Sequence, residues 1–268
     1  MGQVMMITRG GQAPGNWLPT FTYTGLSQLF DEGNGNWNIR FLTSGTFTSN
    51  LATAIQVFLT GGGGAGSKQG GAGGGGYSTT TSGIAMLSGT PYPIVIGNGG
   101  ATTGASGGSS TAFNCTGNGG QGGISGTITG QTCVVKGTTD GNIYSYASLS
   151  ATAVSIGGGQ QTVNLAYPIT SATHNNGTYL YKGVSGYYRC NIVSYGAYIG
   201  TGGSNGAGGS AVYAFGGSSG TLYGGAGSAP STVSGSANMG KGGGGSSNYN
   251  GSAFGSGGSG IAIIRNVR

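Results

Sequence analysis

The sequence predicts an all-β protein in which glycine-rich segments lie between short strands. Glycine supplies 66 of the 268 residues, about a quarter, where about 7% is usual. Charged residues make up only 4% of the chain, against about 25% in an ordinary protein. Several short segments alternate apolar and polar residues, whereas no segment of helical length repeats its apolar residues every 3.6 positions. These observations favour β-strands and extended glycine segments over α-helices.

The composition also excludes several other classes of protein. Collagen requires glycine at every third position and abundant proline, but this chain has six prolines and breaks that period repeatedly. A solvated disordered tail is excluded because 35% of the residues are hydrophobic, including 15 tyrosines and eight phenylalanines. The longest apolar runs are far shorter than the roughly 18 residues of a membrane span. We therefore expect an ordered protein without membrane insertion.

The first 60 residues predict a series of strands. Residues 21–25 and 27–32 precede Asn34-Gly35, a dipeptide that favours a type I′ hairpin turn because both residues accept a positive φ. After this turn, Trp37, Ile39 and Phe41 alternate with polar residues, as in a half-buried strand. Further strands are predicted at 46–48 and 54–60, the latter with Ile55, Val57 and Leu59 on one face. A sheet thus begins in this region.

Three later strands complete the prediction. Residues 77–87 and 92–96 are two of them, and the third ends the chain, where Ile261 and Ile263 share a face before Ile264 and Arg265. The natural partner of this last strand is an early one such as residues 54–59. We therefore expect the two ends of the chain to form one β-sandwich domain.

Glycine counts divide the chain into four regions. Residues 61–123 contain 24 glycines and residues 200–260 contain 23, whereas residues 126–198 contain only 11. The predicted regions are an N-terminal β region at 1–60 completed by 261–268, glycine-rich block 1 at 61–125, a Tyr-rich β insertion at 126–198, and glycine-rich block 2 at 199–260.

The glycine blocks have two physical interpretations. They are either flexible loops or packed polyglycine-II helices, extended left-handed helices of three residues per turn that hydrogen-bond to their neighbours. Ordering a glycine costs more backbone entropy than ordering any other residue, so lateral hydrogen bonds and close packing must compensate. The recurrence of serine, asparagine and aromatic residues between the runs favours the packed helices.

The insertion at residues 126–198 holds nine of the 15 tyrosines. A tyrosine offers a rigid apolar face and a hydroxyl for contacts with sugars or proteins, and it is also a good strand former that packs sheets. Asn175-Asn176-Gly177 reads first as a turn and, alternatively, as a loop tip with amide donors. The candidate receptor-binding residues are Tyr179, Tyr181, Lys182, Tyr187, Tyr188, Arg189, Asn175 and Asn176.

The sequence does not show the groupings of carboxylates, histidines and nucleophiles that are typical of enzymes. Asp31 and Glu32 are adjacent, so a strand would point them to opposite faces, and Asp140 is isolated. His174 is the only histidine, and nothing local marks a nucleophile for it. At this glycine content about four GxGxxG matches are expected by chance, and Lys68 comes one place too late for a phosphate loop. We predict no catalytic residues, no cofactor-binding residues and no cofactor.

The cysteines and cations give weak signals. Cys115, Cys133 and Cys190 lack the close pairs of a zinc site, so no metal is predicted. Free buried thiols are the default, and a Cys133–Cys190 disulfide inside the insertion is the alternative. The tyrosine-flanked Lys182 and Arg189 are too few for nucleic-acid binding, although an anionic wall polymer could use the same groups.

A set of motifs occurs in a fixed order and covers about 190 residues, all but the middle. The motifs are DEGNGNWNIRFLTSGTFT, IQVFLTGGGGAG, GGGGYSTTT, PYPIVIGNGG, SSTAF, GNGGQGG and the closing GSGGSGIAIIRN. This ordered set resembles the glycine-rich tail proteins of phages and prophages of Gram-positive bacteria. By composition the chain is also similar to the distal adhesins of T-even-type long tail fibres, in which a slab of glycine helices presents variable loops.

The resemblance implies a non-enzymatic receptor-binding adhesin at a phage tail tip or tail fibre. Its partners would be a bacterial surface glycan or outer envelope protein and other tail or fibre proteins, and it would form a homo-oligomer or attach to an oligomeric fibre. The N-terminus shows no signal peptide, so we expect a virion location and an extracellular one after release. The alternative is a structural virion or filament subunit without receptor binding.

Overall fold

The computed structural model describes most of the chain as β-strands and hydrogen-bonded glycine segments. The described residues are 6–8, 18–68, 70–137, 160–166, 178–183, 186–201, 203–229, 232–245 and 253–266. They form two compact units, which we call the scaffold unit (Met1–Ser125 with Gly202–Arg268) and the inserted unit (Gly126–Thr201). Within these ranges, no helix is both long and apolar enough to span a membrane.

The predicted all-β class is confirmed. Apart from one short 3₁₀ turn at Ala214–Gly216, the regular elements of the described residues are strands. The strands are β1 (Met6–Thr8), β2 (Phe21–Tyr23), β3 (Ser27–Gly33), β4 (Asn36–Phe41), β5 (Gly45–Ser49), β6 (Thr53–Thr60), β7 (Ser78–Met86), β8 (Pro91–Ile94), β9 (Ser110–Ala112), β10 (Cys115–Gly117), β11 (Thr127–Gly137), β12 (Gln160–Ala166), β13 (Thr178–Gly183), β14 (Gly186–Thr201), β15 (Val212–Tyr213), β16 (Leu222–Tyr223) and β17 (Ile261–Asn266).

The closing strand β17 lies inside the six-stranded sheet of the scaffold unit. The strand order is β1-β3-β4-β17-β6-β7, with β1 parallel to β3 and the other neighbours antiparallel. Ile264 lies opposite Val57 of β6 on one side and Ile39 of β4 on the other. The predicted pairing of the last strand with residues 54–59 is therefore correct. The sequence did not indicate its second partner, β4.

A second antiparallel sheet, β2-β5-β8, shares one apolar core with the first. Phe41 of the larger sheet contacts Tyr23 and Phe47 of the smaller one, with ring centroids 4.8 Å and 5.2 Å apart. Trp37, Phe41 and Phe47 are buried at this junction. The two sheets form a sandwich-like arrangement whose strands come from both ends of the chain.

The predicted hairpin turn at Asn34-Gly35 is also present. Asn34 and Gly35 adopt φ values of 52° and 77°, and they connect β3 to β4. Both positive values match the type I′ turn, which asparagine and glycine adopt at low cost.

Hydrogen bonds of glycine block 1 repeat every third residue. Along residues 62–67, successive N–H groups donate to three different neighbouring segments, and residues three apart donate to the same one. The donor–acceptor pairs are Gly62 to Gly108, Ala65 to Ala105, Gly63 to Gly258, Gly66 to Gly255, Gly64 to Gly74 and Ser67 to Gly71, all at 2.7–2.9 Å. This period is the one expected of three residues per turn.

Carbonyl groups of the same segment accept bonds from three further stretches. The first stretch donates from Gly100 and Gly104, the second from Gly120 and Gly123, and the third from Gly243. Residues 61–67 are thus surrounded by six segments drawn from both glycine blocks, and all seven residues are buried. We call this set of laterally bonded segments the glycine lattice. Its hydrogen bonds favour packed segments over flexible loops, and the polyglycine-II helix type stays a prediction.

Along residues 118–124, the side chains of the lattice occur at outward positions. Asn118, Gln121 and Ile124 are exposed, and the glycines at 120, 122 and 123 between them are buried. The period of three keeps these side chains on one surface. A few buried positions of the lattice carry a small side chain, as at Ala65, Ser67 and Ala72, but a Cβ at Gly64 would collide with the carbonyl group of Gln121.

The inserted unit is a four-stranded antiparallel sheet of order β12-β11-β14-β13. Cys133 lies opposite Tyr195, and Cys190 lies opposite Gly137. This offset of four positions separates the two cysteines by about 13 Å at 3.4 Å per residue. Since a disulfide needs Cα atoms within about 7 Å, the hypothesis of a Cys133–Cys190 disulfide is wrong.

We expect the glycine lattice to be strongly destabilised when a closely packed glycine such as Gly64 gains a methyl group. Gly64→Ala should lower the free energy of unfolding by at least about 3 kcal/mol, because the backbone of a neighbouring segment has to move. Gly217→Ala is the matched control, since Gly217 has φ −63° and its added Cβ would meet no atom closer than 3.4 Å. Urea denaturation of both variants checks this, and equal stabilities would contradict the packing described here.

The buried Tyr23 provides a second test, through pH. Its hydroxyl donates to the Thr43 carbonyl, and burial raises the pKa of Tyr23 above its usual value. Above about pH 10 the unfolded tyrosine ionises while the folded one stays neutral, so this part of the stability is lost as the pH rises. Tyr23→Phe removes the hydroxyl and should cost about 1 kcal/mol at pH 7.

Between pH 10 and pH 12, the stability advantage of the wild type over Tyr23→Phe should disappear and then reverse. The wild type is expected to lose up to about 1.4 kcal/mol per pH unit more than the variant. Chemical denaturation at a series of pH values measures the difference. Parallel curves for the two proteins would show that Tyr23 does not carry this pH dependence.

Candidate recognition surfaces

Segments of the glycine lattice run away from the sandwich and then return to it. Next to the sandwich, Gly61 donates to the Tyr77 carbonyl at 3.2 Å and Gly260 donates to the Gly97 carbonyl at 2.8 Å. At the other end, the Ser67 hydroxyl donates to the Ile124 carbonyl at 3.2 Å. We call this other end the distal end. The exposed residues 68 and 101–104 connect segments there.

The chain leaves the scaffold unit for the inserted unit at this distal end. Ile124 donates to the Ser204 carbonyl at 2.8 Å, and Ser204 donates back to the Ile124 carbonyl at 3.1 Å. The segments on either side of this pair are lattice neighbours, because Gln121 donates to the Ala207 carbonyl at 2.8 Å. The points of departure and return are therefore fixed side by side.

Six of the eight candidate receptor-binding residues lie on one hairpin of the inserted unit. On adjacent strands β13 and β14, Tyr181 is opposite Tyr188 and Lys182 is opposite Tyr187. Tyr179 is opposite Cys190 on the same pair of strands, and Arg189 is opposite Leu180. Asn175 and Asn176 lie outside the described residues.

The register divides these six residues between two faces of the sheet. Residues directly opposite each other share a face, and so do residues two apart on one strand. Tyr179, Tyr181 and Tyr188 therefore belong to one face, and Lys182, Tyr187 and Arg189 to the other. A ligand lying flat on the sheet would meet only one of these two groups.

A strip of polar residues lies on the face of the six-stranded sheet opposite to Ile39 and Phe41, and its contacts were not predicted from the sequence. The Arg40 guanidinium lies over the Phe30 ring, with its carbon 4.5 Å from the ring centroid. The Asn38 amide donates to the Glu32 carboxylate at 2.6 Å. The alternation of Arg40 with Ile39 and Phe41 predicted this face, but it did not indicate the ring on which Arg40 stacks.

The other arginine of the strip is bound in a similar way. Arg265 donates through Nε to Oε1 of Gln56 at 2.7 Å, and its guanidinium carbon lies 4.3 Å from the centroid of Phe215. Asn38 Oδ1 and Arg40 Nε are buried and have no hydrogen-bond partner among the described residues. Because the charged groups stack on separate rings rather than converge, we assign the strip to sheet stabilisation.

The described ranges contain no group of three or more His, Cys, Asp or Glu residues placed to hold a metal ion. His174 and Asp140 lie outside those ranges. The expectations of no enzyme activity, no metal and no cofactor therefore stay predictions.

The paired strands at the base of the insertion predict that the insertion can be removed. Replacing residues 126–201 with two glycines should leave the scaffold unit folded, because Ile124 and Ser204 already hold the two chain ends together and the core of the sandwich belongs to the scaffold unit. Thermal denaturation followed by circular dichroism should show one cooperative transition within a few degrees of that of the full chain. Loss of cooperative unfolding would show that the scaffold unit depends on the insertion.

Comparison with known proteins identifies one family. No curated protein matches the sequence. The sequence model of a family described as a glycine-rich domain matches residues 42–266. This range includes both glycine blocks, the insertion and strand β17, and it covers well over half of the chain. The chain therefore belongs to the glycine-rich domain family.

Proposed function

We propose that this protein is a non-enzymatic adhesin of a phage or prophage tail tip or tail fibre that recognises a receptor on the bacterial surface. The observation that carries the proposal is where the chain departs from the scaffold unit. The two connections to the inserted unit start from hydrogen-bonded positions, Ile124 and Ser204, at the distal end of the glycine lattice. A compact unit inserted at that point supports a role for it as a recognition module.

The glycine lattice would act as the rigid part of the adhesin. We take its segments to be polyglycine-II helices, since the three-residue period of the hydrogen bonds and the burial of residues 61–67 support that geometry. With six bonded neighbours around one segment, bending requires many backbone hydrogen bonds to break together. Such a platform holds the inserted unit without large hydrophobic side chains of its own.

The chemistry of the inserted unit suits recognition of an envelope component. Strands β13 and β14 carry tyrosines together with one lysine and one arginine. Tyrosines contribute apolar contact area and a hydroxyl at a low entropy cost, which suits both sugar rings and protein loops. If several copies attach to one fibre, weak binding at each copy would combine into strong attachment.

Labelling of bacteria tests this function. The full chain fused to a fluorescent protein should label cells of a susceptible host, and the variant with residues 126–201 replaced by two glycines should lose at least about 90% of that signal. Flow cytometry over a panel of Gram-positive strains measures both proteins. Double substitution of Lys68 and Lys241 by glutamine, at exposed positions of the scaffold unit, serves as a control that should label normally.

The outcomes separate the adhesin from a structural subunit. Labelling that survives removal of the insertion would place recognition elsewhere on the scaffold unit. Absence of labelling on every strain, together with filaments of the purified protein in electron micrographs, would overturn the adhesin and favour the structural virion or filament subunit.

A further inference from the structure

The register of the inserted unit brings its three basic residues together. Residues 126–201 contain Lys136, Lys182 and Arg189 and no other lysine or arginine. All three lie in strands of the same sheet, on β11, β13 and β14 respectively. These three strands are adjacent in the order β11-β14-β13.

Strand pairing assigns all three cations to one face. Lys182 is opposite Tyr187, and Lys136 is opposite Asn191. Tyr187, Arg189 and Asn191 are two positions apart along β14, so they share a face. No register shift interrupts the pairing along residues 178–183, 186–191 or 135–137. Lys136 and Lys182 therefore belong to the same face as Arg189.

The three positions form a diagonal row. Arg189 is two residues from the partner of Lys182 and two residues from the partner of Lys136, on opposite sides. Diagonal neighbours of this kind are about 7–8 Å apart. The row therefore crosses three strands with a nearly even spacing between its cations. We call Lys136, Arg189 and Lys182 the basic row.

The positions paired with the basic row carry no carboxylate. They are Gln160 and Asn191 for Lys136, Leu180 for Arg189 and Tyr187 for Lys182. Like charges placed side by side on a sheet are unfavourable, and the described part of the inserted unit contains no Asp or Glu to offset them. An evenly spaced row of cations, with no carboxylate among the described residues of the inserted unit, is therefore suited to an external anion with several charges.

We propose that the basic row binds a linear polyanion of the bacterial envelope, a polymer that repeats phosphate or carboxylate groups. This inference rests on the proposed receptor-binding function and names the ligand class of that site. Arginine recognises phosphate and carboxylate oxygens through a planar set of donors, and each lysine supplies a compact positive charge. The amide and hydroxyl residues paired with the row provide groups for the neutral part of the polymer.

Binding of purified polymers tests the proposal. The full chain is immobilised and exposed to poly(glycerol phosphate), to polygalacturonate as a carboxylate polymer, and to neutral dextran. We expect binding to at least one anionic polymer and none to dextran. Raising the salt concentration should weaken binding, with a slope of log affinity on log salt of about −2 for three neutralised charges. Preference for one anionic polymer identifies the charged group.

Charge-matched variants locate the site. Lys182→Gln with Arg189→Gln should reduce affinity at least tenfold, whereas Lys68→Gln with Lys241→Gln makes the same change in net charge outside the inserted unit and should reduce it less than twofold. Equal effects of the two double variants would overturn the assignment, and so would binding of dextran or failure of both anionic polymers to bind. Tighter binding of single-stranded DNA than of either polymer would also overturn it.

Competition on cells requires no variant and separates this inference from the proposed function. Free anionic polymer should inhibit labelling of host cells by the wild-type fusion, and dextran should not. Labelling that persists at a saturating concentration of polymer would overturn the proposal of a polyanionic ligand without contradicting the adhesin function. If the wild-type fusion labels no strain, the adhesin function itself fails, whatever the purified polymers do.

Discussion

Close approach between backbones is the constraint on which the scaffold unit depends. A bare glycine backbone lets neighbouring segments come near enough for N–H and carbonyl groups to bond laterally, and a Cβ at glycines such as Gly64 and Gly73 would occupy the space of a neighbouring carbonyl. The favourable energy thus comes from many backbone hydrogen bonds and dense packing rather than from large apolar side chains. The sandwich supplies the conventional hydrophobic core that the lattice lacks.

The elements that were predictable from sequence are those with a local signal. Alternation around Trp37, Ile39 and Phe41 indicates β4, and Asn34-Gly35 indicates the turn before it, because a two-residue period and a positive φ are both properties of a few adjacent residues. The partners within the glycine lattice were not predictable. Most of its segments consist largely of glycine, so the sequence does not distinguish one possible neighbour from another. Which segments pack together depends on their alignment in three dimensions and on which residue of each three points outward.

The candidate recognition site was also only partly predictable from the sequence. The sequence predicted a Tyr-rich β insertion at residues 126–198, but the division of six of the eight candidate residues between two faces follows only from the pairing of β13 with β14. Lys136 lies more than 40 residues before Lys182 in the chain, so no local pattern connects them. Their relationship appears once β11 and β13 are both paired with β14.

The central place of β17 has a consequence for how the protein folds. Its partners β4 and β6 precede it by about 200 residues, so the middle of the larger sheet stays open until the chain has passed through both glycine blocks and the insertion. Contacts between such distant residues slow folding, because the entropy of closing a long loop is lost before the contacts form. Until β17 pairs with them, β4 and β6 each expose an unpaired edge that can associate with the same edge of another chain. Aggregation during synthesis, rather than low stability of the finished fold, is therefore the main hazard that this topology creates.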